Sequence, residues 1–226
     1  MTVGRGEFGA TRIAWTDASL HDLSADDVLD DLGEQQVRRY AALTGLAAHR
    51  FLVSRWLAGQ LVAELADHDD LRLVTTCPRC GADHGQPRFE TAPVVVSISY
   101  AGSMVVVAAA HSTEASAVGV DIERRRSGDE HLPLVDLASL FAPSPSPTLQ
   151  EWTLIEAALK ADGRGLNVDL SLVEIEPIDT GRAADSRAIR IPGRSEPVVA
   201  RQIDGPAKFV LSSAMVRAVA QTKHPS

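Results

Sequence analysis

An α+β fold of two similar lobes in pseudo-twofold arrangement, with a ligand site at their junction, is what this 226-residue sequence predicts. The first observation is a repeated outline: a helical stretch followed by several apolar, β-branched runs occurs once after Gln36 and again after Thr148. Division near residue 112 gives an N-terminal lobe, 1–112, and a C-terminal lobe, 113–226. The second is size, since a chain of this length fills one full core or two small ones. Clefts between such lobes are common ligand sites.

Taken in order, residues 1–35 mix short apolar pieces with acids and read as a strand or turn leading into a short helix. From 36 to about 65, Leu43, Leu46, Phe51, Leu52, Trp56, Leu57, Leu61 and Leu65 recur with helical periodicity, as one helix or as two broken near Gly45. In the broken form Arg50 falls in the early turns of the second helix, where its guanidinium and exposed backbone N–H groups together suit an anion. Residues 71–92 are turn-rich, and 93–110 reads as a buried hairpin with Gly102 and Ser103 at its waist.

Residues 118–123 form the next strand. Side chains alternate along it, so Val118, Val120 and Ile122 face one way while Asp121 and Glu123 face the other. A short helix over 134–141 is stopped by Pro143-Ser144-Pro145-Ser146-Pro147. Thr148, followed three residues later by Glu151, is a capping-box signature. It opens a helix with the apolar stripe Leu149, Trp152, Ile155 and Leu159, ending near Gly163 or Gly165. Beyond it, 167–175, 188–191, 198–203 and 208–218 read as strands, and 209–219 also suits a short helix.

Composition narrows the function. The formal net charge of -8 opposes attraction to nucleic acid, and 4% aromatic residues undersupply base stacking. No apolar run is long enough to span a membrane, and Glu7 and Asp17 break any basic-then-apolar leader pattern. A soluble, cytoplasmic protein with no nucleic-acid or membrane partner is expected, and a monomer, because both lobes lie in one chain.

Asp121, Glu123 and Glu156 carry the strongest chemical signal. Three carboxylates brought together repel unless a cation lies between them, and magnesium, a hard dication with oxygen ligands, is the natural candidate. Magnesium so bound keeps positions for water and phosphate oxygens, which points to phosphoryl chemistry. The alternative is that the two strand acids face solvent on a sheet edge while Glu156 pairs with Lys160, four residues on.

Across residues 36–170 the chain resembles the 4'-phosphopantetheinyl transferase superfamily, in particular its two-lobed, monomeric type. The resemblance runs in order through Ala48-His49-Arg50, Gly85-Gln86-Pro87, Ser97-Ile98-Ser99-Tyr100-Ala101-Gly102, Val118-Gly119-Val120-Asp121-Ile122-Glu123 and Trp152-Thr153-Leu154-Ile155-Glu156-Ala157-Ala158-Leu159-Lys160. It implies transfer of the phosphopantetheine arm of coenzyme A to a serine of an acyl or peptidyl carrier protein, with release of adenosine 3',5'-bisphosphate. It further implies that Asp121, Glu123 and Glu156 hold magnesium and that Glu156 also takes the serine proton. Lys160 would neutralise the pyrophosphate and Arg50 would hold the coenzyme's 3'-phosphate. Gly85, Gln86, Pro87, Ser99 and Tyr100 would line the nucleotide end. The two-lobed form leans toward carriers of secondary metabolism.

Three positions depart from that pattern. Tyr100 stands where histidine is common, Gln86 where lysine is usual, and Ile155 where many members have lysine. The Pro/Ser segment between Phe141 and Trp152 is also short. These departures leave a noncatalytic coenzyme- or carrier-binding protein on the same fold as the alternative. Cys77 and Cys80 read as reduced thiols in a loop; with His84 they would supply three ligands of a zinc site, but no fourth ligand is evident nearby and Arg79 adds unwanted charge.

Overall fold

The computed structural model describes residues 2–68, 70–77, 79–83, 85–125, 133–178 and 186–218. The N-terminal segment forms a hairpin of β1 (Gly4–Phe8) and β2 (Thr11–Asp17), more strand than the sequence predicts. Helix α1 (Asp26–Leu29) follows. The helical stretch is broken, into α2 (Glu34–Ala41) and α3 (Gly45–Leu65), with Gly45 in the left-handed region at φ 54°. The turn-rich segment holds two short strands, β3 (Leu73–Val74) and β4 (Arg88–Phe89). The expected hairpin is β5 (Val94–Ala101) and β6 (Met104–His111).

In the second half, β7 (Ala115–Arg124) is followed by α4 (Ala138–Phe141) and α5 (Leu149–Asp162). Then come β8 (Glu174–Pro177), β9 (Ser186–Arg190), β10 (Val198–Ile203) and β11 (Phe209–Arg217), the last a strand rather than a helix. The strand predicted over 167–175 is mostly two 3-10 turns, Gly165–Asn167 and Leu170–Leu172. The Asp169 carboxylate accepts the Ser171 N–H there, which favours a turn over a ladder.

Among the described residues the strands form two antiparallel sheets, ordered β1-β2-β6-β5-β4-β3 and β7-β11-β10-β9-β8. Omitting β1, the two orders are the same. In each, a strand leads to a long helix, and the last of the following strands returns beside the first. The chain is therefore a mixed α+β fold with two separate sheets flanked by helices.

Three cores follow from this stacking. Leu57, Leu61 and Val62 of α3 pack on Val94, Val96, Val105 and Val107 of the first sheet. The opposite face of that sheet, with Ile13 and Val106, meets Val118, Val120 and Ile122 of β7 and Leu211 of β11. Leu154, Ala157, Ala158 and Leu159 of α5 cover the far face of the second sheet, against Ile189, Val198, Ala200 and Ala214. The alternation predicted for β7 is thus realised: its even-numbered side chains fill the inter-sheet core. Each large aliphatic side chain so buried contributes about 1.5–3 kcal/mol. No helix among the described residues is long and apolar enough to cross a membrane.

Local chemistry fixes α5 at both ends. Thr148 Oγ1 accepts the Glu151 N–H at 3.2 Å while the Glu151 carboxylate accepts the Thr148 N–H at 2.8 Å, completing the capping box. Gly163, at φ 81°, ends the helix in the left-handed conformation. Between these ends Gly119 of β7 lies against the backbone of α5, where any Cβ would collide with the Ala157 carbonyl oxygen. The absence of a side chain at 119 lets helix and strand approach closely enough for Lys160 to reach β7.

Candidate functional site

Among the described residues, strand β7 pairs with β11 along one edge only. Along its other edge the even-numbered residues direct their backbone groups toward β5, and side chains take the place of a partner strand. Ser97 Oγ accepts the Val120 N–H at 3.1 Å. Lys160 Nζ donates to the Val120 carbonyl at 3.1 Å, and Gln86 Nε2 to the Val118 carbonyl at 3.4 Å. Sequence reasoning gave Ser97 no role. The signal is its spacing from Ser99, which puts both hydroxyls on the face of β5 opposite Val96, Ile98 and Tyr100.

Asp121 is the centre of this edge. Its Oδ1 accepts from Ser99 Oγ at 2.8 Å and from Lys160 Nζ at 2.6 Å. Lys160 also donates to Ser99 Oγ at 3.0 Å. The lysine pairs with the strand acid and not with Glu156, although the four-residue spacing permits both. Asp121 Oδ2 is buried and has no hydrogen-bond partner. An ionised oxygen left so needs a proton donor or a cation.

Glu156, on the helical turn before Lys160, has its pKa raised, chiefly by burial. Lys160 opposes that shift, while Asp121 and Glu123 add to it, so the three carboxylates lie within electrostatic reach of one another. The sequence pattern therefore brings the acids into one neighbourhood. Among the described residues, however, no three His, Cys, Asp or Glu side chains are arranged as a ready metal site. The donor chemistry suits a hard dication, with an orphaned carboxylate oxygen and a carboxyl that burial holds toward protonation.

Beside Glu123 lies a hollow of about 170 Å³ lined by Leu134, Leu137, Leu149 and Trp152. Arg124 and Asp136 add charge to its otherwise apolar walls, and it lies outside the sequence prediction.

The predicted nucleotide-end residues divide between the two faces of β5. Arg50, Gly85, Pro87 and Tyr100 line one cavity of about 300 Å³ between α3 and β5, together with Arg39 and Arg55. Gln86 and Ser99 instead face the edge of β7. Arg50 Nη1 donates to the Gly102 carbonyl at 2.8 Å, and its guanidinium lies 5.3 Å from the centre of the Tyr100 ring. It thus turns toward the β5–β6 turn. Arg50 Nε is buried without a partner. Gly85 cannot carry a side chain, because a Cβ would meet the Thr76 carbonyl oxygen at 2.6 Å. The Tyr100 hydroxyl is 2.8 Å from Ser54 Oγ and 3.3 Å from Arg55 Nη1.

Cys77 is buried and Cys80 exposed. Backbone N–H groups of Arg79 and Cys80 pull the Cys77 pKa down. His84, the third ligand considered, lies outside the described residues.

No family model matches this chain, and no curated protein matches it significantly.

Proposed function

We propose that this protein transfers the phosphopantetheine arm of coenzyme A to a serine of an acyl or peptidyl carrier protein, with magnesium as cofactor. The observation that carries the reading is the use of β5 as a divider. On one face lies the Lys160–Asp121–Ser99 cluster with its unsatisfied carboxylate oxygen; on the other lies a cavity lined, among the described residues, by three arginines and no acid. Adjacent residues of one strand, Ser99 and Tyr100, place a group on each side. That division suits a ligand with a phosphate monoester at one end and a pyrophosphate at the other. The matching sheet orders support a pseudo-twofold pairing of the lobes with this site at their junction.

In this reading the serine oxygen of the carrier bonds to the phosphorus that bears the pantetheine arm. The bond from that phosphorus to the bridging oxygen breaks, and adenosine 3',5'-bisphosphate leaves. Glu156 takes the serine proton; its raised pKa makes it a stronger base than an exposed glutamate. Lys160 offsets negative charge gathering on the leaving pyrophosphate oxygen. Asp121 Oδ2, Glu123 and Glu156 would hold magnesium, which when bound supplies further charge neutralisation at the pyrophosphate. The apolar hollow beside Glu123 would receive the carrier or its approaching arm.

The test is to incubate the protein with magnesium, coenzyme A and a panel of apo carrier proteins and weigh the carriers. At least one should gain the mass of one phosphopantetheine arm. The assignment fails if none does and Glu156→Gln behaves like wild type.

One observation favours a second reading, a noncatalytic coenzyme- or carrier-binding protein. The Tyr100 hydroxyl is already engaged by Ser54 and Arg55, and is not free to meet a ligand without rearrangement. Calorimetric binding of coenzyme A with no turnover across the carrier panel would favour this reading. Absence of binding to both coenzyme and carriers would reject it.

A further inference from the structure

Two side-chain donors on β10 are buried and unanswered. Arg201 Nε and Gln202 Nε2 have no hydrogen-bond partner. Folded proteins satisfy nearly all such groups, so each asks for an acceptor that the chain itself does not supply. Adjacent in sequence, the two lie on opposite faces of the strand. Arg201 shares a face with Val199 and Ile203, which meet the inter-sheet core, while Gln202 shares the other with Val198 and Ala200, which pack with α5. Both line one groove of about 1110 Å³, which therefore wraps round the end of β10.

The groove stands in the second half of the chain where the β5 site stands in the first. Omitting β1, the two sheets share one strand order, so β10 holds the place of β5 and α5 that of α3. As Ser99 faces β7 and Tyr100 faces α3, so Arg201 faces the first sheet and Gln202 faces α5. Gln150, at the start of α5, belongs to one wall, and Lys208 comes from the turn between β10 and β11. The two places differ in β1, which has no counterpart in the second sheet. It covers the edge of β2 and brings Arg5 and Glu7 to the groove.

Charge selects the ligand. Arg5, Arg125, Arg187, Arg201 and Lys208 line the groove, against Glu7, Glu151 and Asp204. Two of those acids are engaged elsewhere: Glu7 pairs with Arg12, and Glu151 accepts the Thr148 N–H in the helix cap. Arg5 pairs with Glu64 at 2.7 Å, which still leaves the groove with an excess of cations among the described residues. Lys208 holds φ 70°, a left-handed conformation that a residue with a side chain rarely adopts and that glycine would take without strain. We infer that this groove is a second ligand site, separate from the β5–β7 junction, and that it takes a small, multiply charged oxyanion bearing phosphate or carboxylate groups. Arg201 Nε and Gln202 Nε2 donate to its oxygens, and Lys208 neutralises charge at the turn. The volume exceeds the ~300–1,000 Å³ of ordinary small-molecule sites, so the groove has room for more than an isolated ion. This site requires nothing from the transfer reaction proposed above.

Calorimetry on the full chain in magnesium-free buffer tests this, with pyrophosphate and citrate as probes. At least one should bind wild type, and Arg201→Gln should weaken that binding about tenfold or more. Lys208→Gly removes a charge while relieving the backbone, so it should weaken binding about threefold and yet melt no lower than wild type. That result remains decisive if the Arg201 variant does not fold. Because the cavity between α3 and β5 also suits phosphate, Arg50→Gln separates the two places: binding in the groove should survive it within about twofold. Preference for pyrophosphate, with dependence on Arg201, would identify a phosphorylated ligand, and preference for citrate a polycarboxylate. Binding lost in Arg50→Gln but unchanged in both groove variants would put the anion in the other cavity, overturning the second site and leaving the transferase reading standing. Binding of neither probe to wild type would also overturn the second site.

Discussion

Lys160 Nζ lies 2.6 Å from Asp121 Oδ1 and 3.1 Å from the Val120 carbonyl oxygen, so one ammonium group serves a side chain and the main chain of the same strand edge. Asp121 is almost fully buried and Lys160 mostly so. Removing one partner leaves the other charged and poorly solvated. Lys160→Met is expected to cost about 2–4 kcal/mol in urea unfolding, and Asp121→Asn somewhat less, because the amide still accepts a hydrogen bond. The double variant should be more stable than the sum of the two single losses implies. If the losses simply add, the pair is not coupled.

Glu156 gives a pH signature. Its pKa lies above the ordinary value of 4.5, mainly through burial, so the folded state binds a proton that the unfolded state has released. Stability therefore falls as pH rises from about 4.5 through the raised value. Below that window both states are protonated and the contribution vanishes. Glu156→Gln should accordingly melt higher than wild type at pH 8 and close to it at pH 4, while losing at least about 100-fold in carrier modification. Parallel melting curves at both pH values would rule out a buried, perturbed carboxyl.

Gly119→Ala introduces one methyl group where the α5 backbone already lies. A backbone contact cannot yield as a flexible side chain can. The expected loss is at least about 3 kcal/mol, together with activity, because α5 must retreat and carry Glu156 and Lys160 away from Asp121. An alanine variant with wild-type melting would show that helix and strand do not approach as described.

Thr148→Ala removes the Oγ1 that caps α5 but touches none of the proposed chemistry. It should cost about 1 kcal/mol and leave the Michaelis constant for coenzyme A within about twofold of wild type. A large kinetic effect would mean that the helix start moves the site.

Features readable in the sequence were those governed by short-range rules. The Thr148–Glu151 box, the Gly102–Ser103 turn and the alternation of β7 each depend on neighbours a few residues apart. The hairpin of β1 and β2 was harder to read, since Gly4 and Gly6 break the apolar alternation. The lack of a side chain at Gly4 is explained across the ladder, where Trp15 occupies the space, and at Gly6 by Trp15 together with Ile203 of β10 in the other sheet. Arg55 carries no sequence signal beyond its charge, although its position four residues after Phe51 already places it on the buried side of α3. Its neutral partners come from α2, α3 and β5, and no local pattern announces such a meeting. Period two aligned Asp121 with Glu123, but Glu156 joined them only through the family resemblance, since no local rule fixes where a helix meets a strand. Their division of labour was not legible, since Lys160 chooses Asp121 through the close approach at Gly119.

An unpaired strand edge is also a template on which a second chain can add itself. Along β7 that template is occupied by Gln86, Ser97 and Lys160, each taking a backbone group that an invading strand would need. Lys160 thus holds this edge in place whether or not any reaction occurs there. A change that abolished the proposed reaction would leave that structural role, and with it a reason to keep Lys160, untouched.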